Sequence, residues 1–206
     1  MNMGKYLPVL SGLAFSSIFG FTFLFTKEGL EVVSAFQLLG YRFGFAAIFM
    51  TLLVITGIIK VDYRGKEMKS VFLLAVVQPV LYFIFEIQGI NMTTSSEAGL
   101  MISLIPVVVT ILAAIFLEEK PTVKQFIFII LSVAGVVFIV LMKGNSAVEN
   151  NYLGMLVLGG AVLMGGIYNI LSRKLSLDFK PVEITFIMVW FGAIVFNFIA
   201  LLNFEG

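Results

Sequence analysis

Residues 98–140 read AGLMISLIPVVVTILAAIFLEEKPTVKQFIFIILSVAGVVFIV. Two apolar runs, 98–117 and 125–142, meet here at a charged hinge, Glu118-Glu119-Lys120-Pro121. A helix that crosses a bilayer needs about 20 mostly apolar residues, and each run comes close to that length. A membrane β-strand is about 9–11 residues long and alternates in polarity, and neither run alternates. The stretch predicts two transmembrane helices joined by a short polar turn.

The same reading carried outward finds five more spans, near 6–26, 35–57, 70–89, 153–172 and 181–202, with only short polar links between them. The expected fold is an all-α membrane protein, a polytopic bundle of seven transmembrane helices. Composition agrees: 60% of the 206 residues are hydrophobic and 12% charged, against about 45–50% and about 25% in soluble domains. The first span is too long, and too weakly flanked by small residues, for a removable signal peptide, and it is read as helix one. With no His and no Cys, haem ligation, His or Cys metal sites, Ser-His and Cys-His nucleophiles and disulfides are all excluded. The only aspartates, Asp62 and Asp178, fall in charged loops, which excludes an intramembrane aspartyl dyad. The chain is expected to be no enzyme and to need no cofactor or metal. A formal charge of +1 argues against a nucleic-acid partner; the partners expected are the lipid bilayer and a small-molecule solute.

Basic residues collect on the cytoplasmic side of a membrane. With the N-terminus inside, Lys5, Lys60, Arg64, Lys66, Lys69, Lys120, Lys124, Arg173, Lys174 and Lys180 fall inside, and Lys27 and Lys143 outside. Ten bases against two place the N-terminus in the cytoplasm and, after seven crossings, the C-terminus outside. The segment from Tyr152 restarts the opening of the chain. An offset of 147 pairs Gly12 with Gly159, Ala14 with Ala161, Leu24 with Leu171, Lys27 with Lys174, Leu30 with Leu177 and Phe49 with Phe196. Five helices separate the two starts, so the second copy enters from the opposite side, as in the inverted repeats of secondary transporters. Residues 1–145 are read as a five-helix repeat and 146–206 as the first two helices of its inverted copy.

The run Phe19-Gly20-Phe21-Thr22-Phe23-Leu24-Phe25-Thr26-Lys27, with Tyr41-Arg42-Phe43 and Ala46-Ala47, resembles the first two helices of the EamA family of the drug/metabolite transporter superfamily. The quoted block 98–140 resembles that family's fourth and fifth helices, and Tyr168-Asn169 with Ser172-Arg173-Lys174 the opening of its second repeat. Phe19 stands where the family has Trp, keeping an aromatic plug without the indole donor. The family carries ten helices in two five-helix repeats, so the resemblance implies that three helices of the second repeat are wanting, and the seven-helix piece alone is not expected to transport. The implied function is a secondary transporter, an exporter of small polar metabolites or drugs across the plasma membrane of a bacterium or archaeon, working by alternating access. The alternative is a non-transporting subunit or truncated fragment that needs a partner, through a homodimer or complementary helices. A retinal pump is discounted, because no lysine follows Lys180 into the last span.

Ionisable groups within spans raise a functional hypothesis by default. Arg42 and Glu86 each lie seventeen residues from the inner ends of their helices, which at about 1.5 Å per residue puts both roughly 25 Å from the cytoplasmic edge. They are expected to pair, as a gate, a substrate-carboxylate site or a structural bond. Glu97 and Glu183, near helix starts, read as caps. Gln78-Pro79, with Tyr82 a turn on, and Pro106 break two spans at similar depth, the usual material of a midplane cavity. With Phe19, Tyr41, Tyr168 and Asn169 from the matching motifs, these residues complete the candidate substrate-binding set. Gly40-xxx-Gly44, Gly12-xxx-Ser16-xxx-Gly20 and Ala161-xxx-Gly165 have the spacing of close helix packing within the bundle. A reporter between Lys60 and Lys69 is expected to read as cytoplasmic and one fused after Gly206 as external; the reverse at both sites would sink the orientation.

Overall fold

A computed structural model describes residues 3–119, 121–142 and 151–203. The elements are α1 (Met3–Leu30), α2 (Ala35–Ile55), α3 (Met68–Ala75), a π-helical turn (Val76–Leu81), α4 (Tyr82–Met92), α5 (Ser95–Ile102), α6 (Ile105–Phe116), α7 (Val123–Met142), α8 (Asn151–Leu175) and α9 (Pro181–Leu202). No strand occurs among the described residues. Helix is the form such a chain can take in hydrocarbon, because it pairs every backbone group within its own segment. Six stretches have the length and apolarity to cross a membrane: Val9–Leu30, Ala35–Ile55, Met68–Met92, Ser95–Phe116, Tyr152–Leu175 and Pro181–Leu202. In α7, the expected fifth span, the apolar stretch Val123–Ile139 is shorter. The expected repeat boundary at 145/146, and Lys120, Lys143 and Gly206, lie outside the described residues.

The polar links start the helices. Ser34 accepts from the backbone N–H of Gln37 while the Gln37 amide oxygen accepts from Ser34, and Thr94 and Glu97 do the same for α5. Glu97 is thus the cap its position suggested. Two expected spans are broken. Gln78, at φ −145° and ψ 121°, leaves the helical region between α3 and α4, where Pro79 has no N–H to give. The fourth span is interrupted at Ser103-Leu104, and Pro106 stands in the first turn of α6, where a missing N–H costs nothing.

Contacts sort the links to two ends of the bundle, as alternate crossing requires. At one end, Asp62 after α2 meets Glu183 at the start of α9, and Arg173 near the end of α8 meets Glu119 beyond α6. At the other, Lys27 near the end of α1 donates to the Ile90 and Asn91 carbonyls at 2.9 and 3.0 Å, where a cation suits the C-terminus of α4.

Helix α8 packs against α4, α5 and α6, and α9 against α2 and α3. Helices α2 and α9 run antiparallel: Asn197 donates to the Gly40 carbonyl at 3.1 Å, and Trp190 to the Thr51 hydroxyl at 3.0 Å. Helices α4 and α8 approach each other closely. A Cβ on Gly154 would lie 2.5 Å from Thr93 Cγ2 and 3.2 Å from the Met92 carbonyl carbon; one on Gly89 would lie 2.5 Å from Leu158 Cγ. Ala161-xxx-Gly165 and Gly40-xxx-Gly44 also pack inside the bundle, the latter on Asn197. The third stripe departs from expectation, for nothing lies within 4 Å of a Cβ built on Gly12 or Gly20. Gly154→Leu is expected to destabilise the chain by about 1–3 kcal/mol through overpacking and Gly12→Leu hardly at all, as thermal unfolding in detergent would register; equal losses would refute the packing assigned to α8.

Candidate functional site

The break at Gln78-Pro79 delivers Tyr82 and Glu86 to the interior. Pro79 is fully buried and Gln78 half-buried. The Tyr82 hydroxyl donates to Glu86 Oε1 at 2.9 Å, with both residues almost wholly enclosed. This bond suits the setting, because a carboxylate away from water must find donors inside the protein. Tyr82 shares a core cluster with Phe23, Ile102, Ala161 and Val162, against which Phe19 packs. Gly165 closes its far side, so that an added Cβ would lie 3.4 Å from the Tyr82 ring. Phe19, Gln78, Pro79, Tyr82 and Glu86 are thus brought together around one kinked span.

The expected Arg42–Glu86 ion pair is not formed. Among the described residues the ion pairs within 4 Å are Lys66–Glu183 and Arg173–Glu119. Arg42 Nη1 donates to Thr26 Oγ1 at 3.3 Å, and its guanidinium lies 5.5 Å from the centre of the Phe83 ring. Residue counting places two groups at one depth but says nothing of rotation about the helix axes, and here rotation gives Arg42 the face of an aromatic ring. Phe83 in turn meets Tyr82 and Phe43 edge-on, at 5.0 Å in each case. Three other candidates face away: Tyr41 and Pro106 are exposed, and the Asn169 amide folds back onto the Gly165 carbonyl at 2.8 Å. Tyr168 packs against a separate cluster built on Val71, Leu74, Phe179 and Ile184.

Counting and spacing overlooked what holds Glu183. Besides receiving the Lys180 N–H as a cap at 2.9 Å, this fully buried carboxylate accepts the Lys66 ammonium and, at 3.1 Å, the Asp62 N–H. The Tyr63 hydroxyl donates to the Glu183 carbonyl at 3.1 Å, and Lys66 lies 5.1 Å from the centre of the Phe179 ring. Burial, then the nearby Glu183 charge, push the Tyr63 phenol up to about 12. Gly65, at φ 72°, takes a left-handed turn beside Lys66 that a side chain would strain. The loop between α2 and α3 is therefore latched to the start of α9. The available signal was a lone Glu at the third position of an apolar helix, opposite a loop rich in Lys.

Long apolar helices, broken spans and charges gathered at two ends define a polytopic helical membrane protein. Residues 7–141 match the EamA-like transporter family, and the chain belongs to it. It is 37% identical over 194 residues to the uncharacterized transporter YcxC of Bacillus subtilis (strain 168), covering 94% of this chain and 62% of that protein. The uncharacterized transporter YetK of the same organism is 28% identical over 200 residues (95% and 59%), and an uncharacterized transporter of Archaeoglobus fulgidus is 28% identical over 174 (84% and 57%). The chain spans about three-fifths of the length of these curated relatives. No solved structure matches it.

Lys66→Ala leaves Glu183 charged and buried, a change that costs about 3–5 kcal/mol for fully enclosed pairs; with the Lys66 side chain 21% exposed, the lower figure applies. Lys66→Ala and Glu183→Ala are each expected to lower the unfolding temperature, and the double variant to lose less than the sum. Additive losses would show that the latch does not hold.

Proposed function

We propose that the chain serves a secondary transporter that exports small polar metabolites or drugs across the plasma membrane by alternating access, α8 and α9 acting as the opening of an inverted second repeat. The observation that carries the reading is the kinked third span. An unwound segment at Gln78-Pro79, bordered by the buried Tyr82–Glu86 pair, is irregular backbone of the kind tolerated at membrane depth beside packed helices or a solute path. Family membership and the transporter names of the relatives support the class. The distribution of Lys and Arg supports a cytoplasmic N-terminus, which puts the Lys66–Glu183 latch on the cytoplasmic side. Alternating access would open that end while the other closes, with the latch as the bond to break.

The test is a panel of metabolites screened for thermal stabilisation of the purified chain in lipid nanodiscs. A solute that binds the folded state at a hundred times its Kd stabilises it by about 2.7 kcal/mol. At least one polar solute is expected to do so, and Tyr82→Phe and Glu86→Gln are expected to weaken it. A stabilising solute indifferent to both changes would remove the kinked span from the solute path.

A further inference from the structure

The cleft between α1 and α2 holds a guanidinium with no carboxylate within 4 Å among the described residues, although the Glu86 charge lies near enough to act on it through space. Arg42 lies within a span of α2, about two turns from its start at Ala35. Its bonding partners among the described residues are one hydroxyl, Thr26 Oγ1, and one aromatic face, Phe83. Glu86, the carboxylate that sequence counting assigned to it, is held by Tyr82, and Lys27 is spent on the carbonyls ending α4. Glu86 answers the charge only through space, and of the five guanidinium donors just one is bonded to a described residue, so a counter-charge at bonding distance can still be added.

Thr26 adds an independent observation. Thr22, Thr51, Thr110 and Thr185 each turn the hydroxyl back to donate to the carbonyl four residues earlier, the common resting bond of a helical threonine. Thr26, only 4% exposed, makes no such bond: it accepts from Arg42 and leaves its own hydrogen undirected at any described acceptor. Both groups border a cavity of about 260 Å³ lined by Thr22, Phe25, Thr26, Leu38 and Arg42. At about 30 Å³ per water it has room for more than solvent molecules bridging one bond.

We infer that Arg42 and Thr26, with Thr22 at the rim, form a binding site for an oxyanion, a carboxylate or a phosphate, carried by a small molecule whose apolar part lies on Phe25 and Leu38. The planar fork of Arg matches the two oxygens of either group, and the Thr26 hydroxyl supplies a further donor from the side. The anion can come from the exported solute or from the headgroup of an acidic lipid, since Phe25 opens the cleft sideways. In the first case the site names the charged end of the solute, and to that extent the inference rests on the transporter reading.

The experiment uses the full chain in nanodiscs of neutral phosphatidylcholine, titrated with benzoate, phenyl phosphate and inorganic phosphate, and a parallel series of discs containing phosphatidylglycerol. Saturable thermal stabilisation by at least one of these probes is expected. Arg42→Gln should abolish it, Arg42→Lys should weaken it by loss of the fork, and Thr26→Val, close in shape to the native residue, should weaken it about tenfold. A response to the soluble anions in neutral discs assigns the site to a solute; a response to phosphatidylglycerol alone assigns it to lipid. Absence of stabilisation by all four probes, or stabilisation that persists undiminished in Thr26→Val and Arg42→Lys, would overturn the site. A polar solute that stabilises the chain through Tyr82 and Glu86, with no oxyanion response at Arg42, would refute this inference and leave the transporter reading standing, whereas an oxyanion response with no solute response at Tyr82 and Glu86 would support the site and count against that reading.

Discussion

Hydrocarbon offers no water to a backbone group freed from its helix, so the breaks at Gln78-Pro79 and Ser103-Leu104 need protein beside them. Helix α8 lies against both. A single residue, Gly165, borders Tyr82, just after the first break, and Ile105, just after the second. The rest follows from that placement. Small residues at Gly154, Ala161 and Gly165 let α8 come close enough to cover the interrupted spans, as small residues do between membrane helices generally. Tyr82 is thereby pressed into the core, and its hydroxyl is left in reach of Glu86 one turn on.

Charge is handled differently at the ends of the bundle and in its interior. At one end Lys66 and Glu183 neutralise each other, while backbone N–H groups take the remaining acceptor capacity of the carboxylate. At the other end Lys27 neutralises the exposed carbonyls of α4. Inside, Glu86 is bonded to a neutral donor and Arg42 to a neutral acceptor and an aromatic face, and the two act on each other only through space. The interior groups keep bonding capacity free, whereas the paired charges at the ends hold helices together.

The spans, the links and the alternation of their ends were legible in the residue order, because length and apolarity alone determine whether a segment can cross a bilayer. So were the caps at Thr94–Glu97 and Glu183, which depend on neighbours three residues apart, and the family, whose model matches residues 7–141. Height along each helix was countable too, since the rise per residue is constant. Azimuth was not. Whether Arg42 faces Glu86 or Phe83, and whether Tyr41 and Pro106 look inward, depends on how each helix is rotated about its axis. That rotation is settled by pairs such as Gly40 with Asn197 and Gly89 with Leu158, distant in sequence and close only once the bundle has assembled.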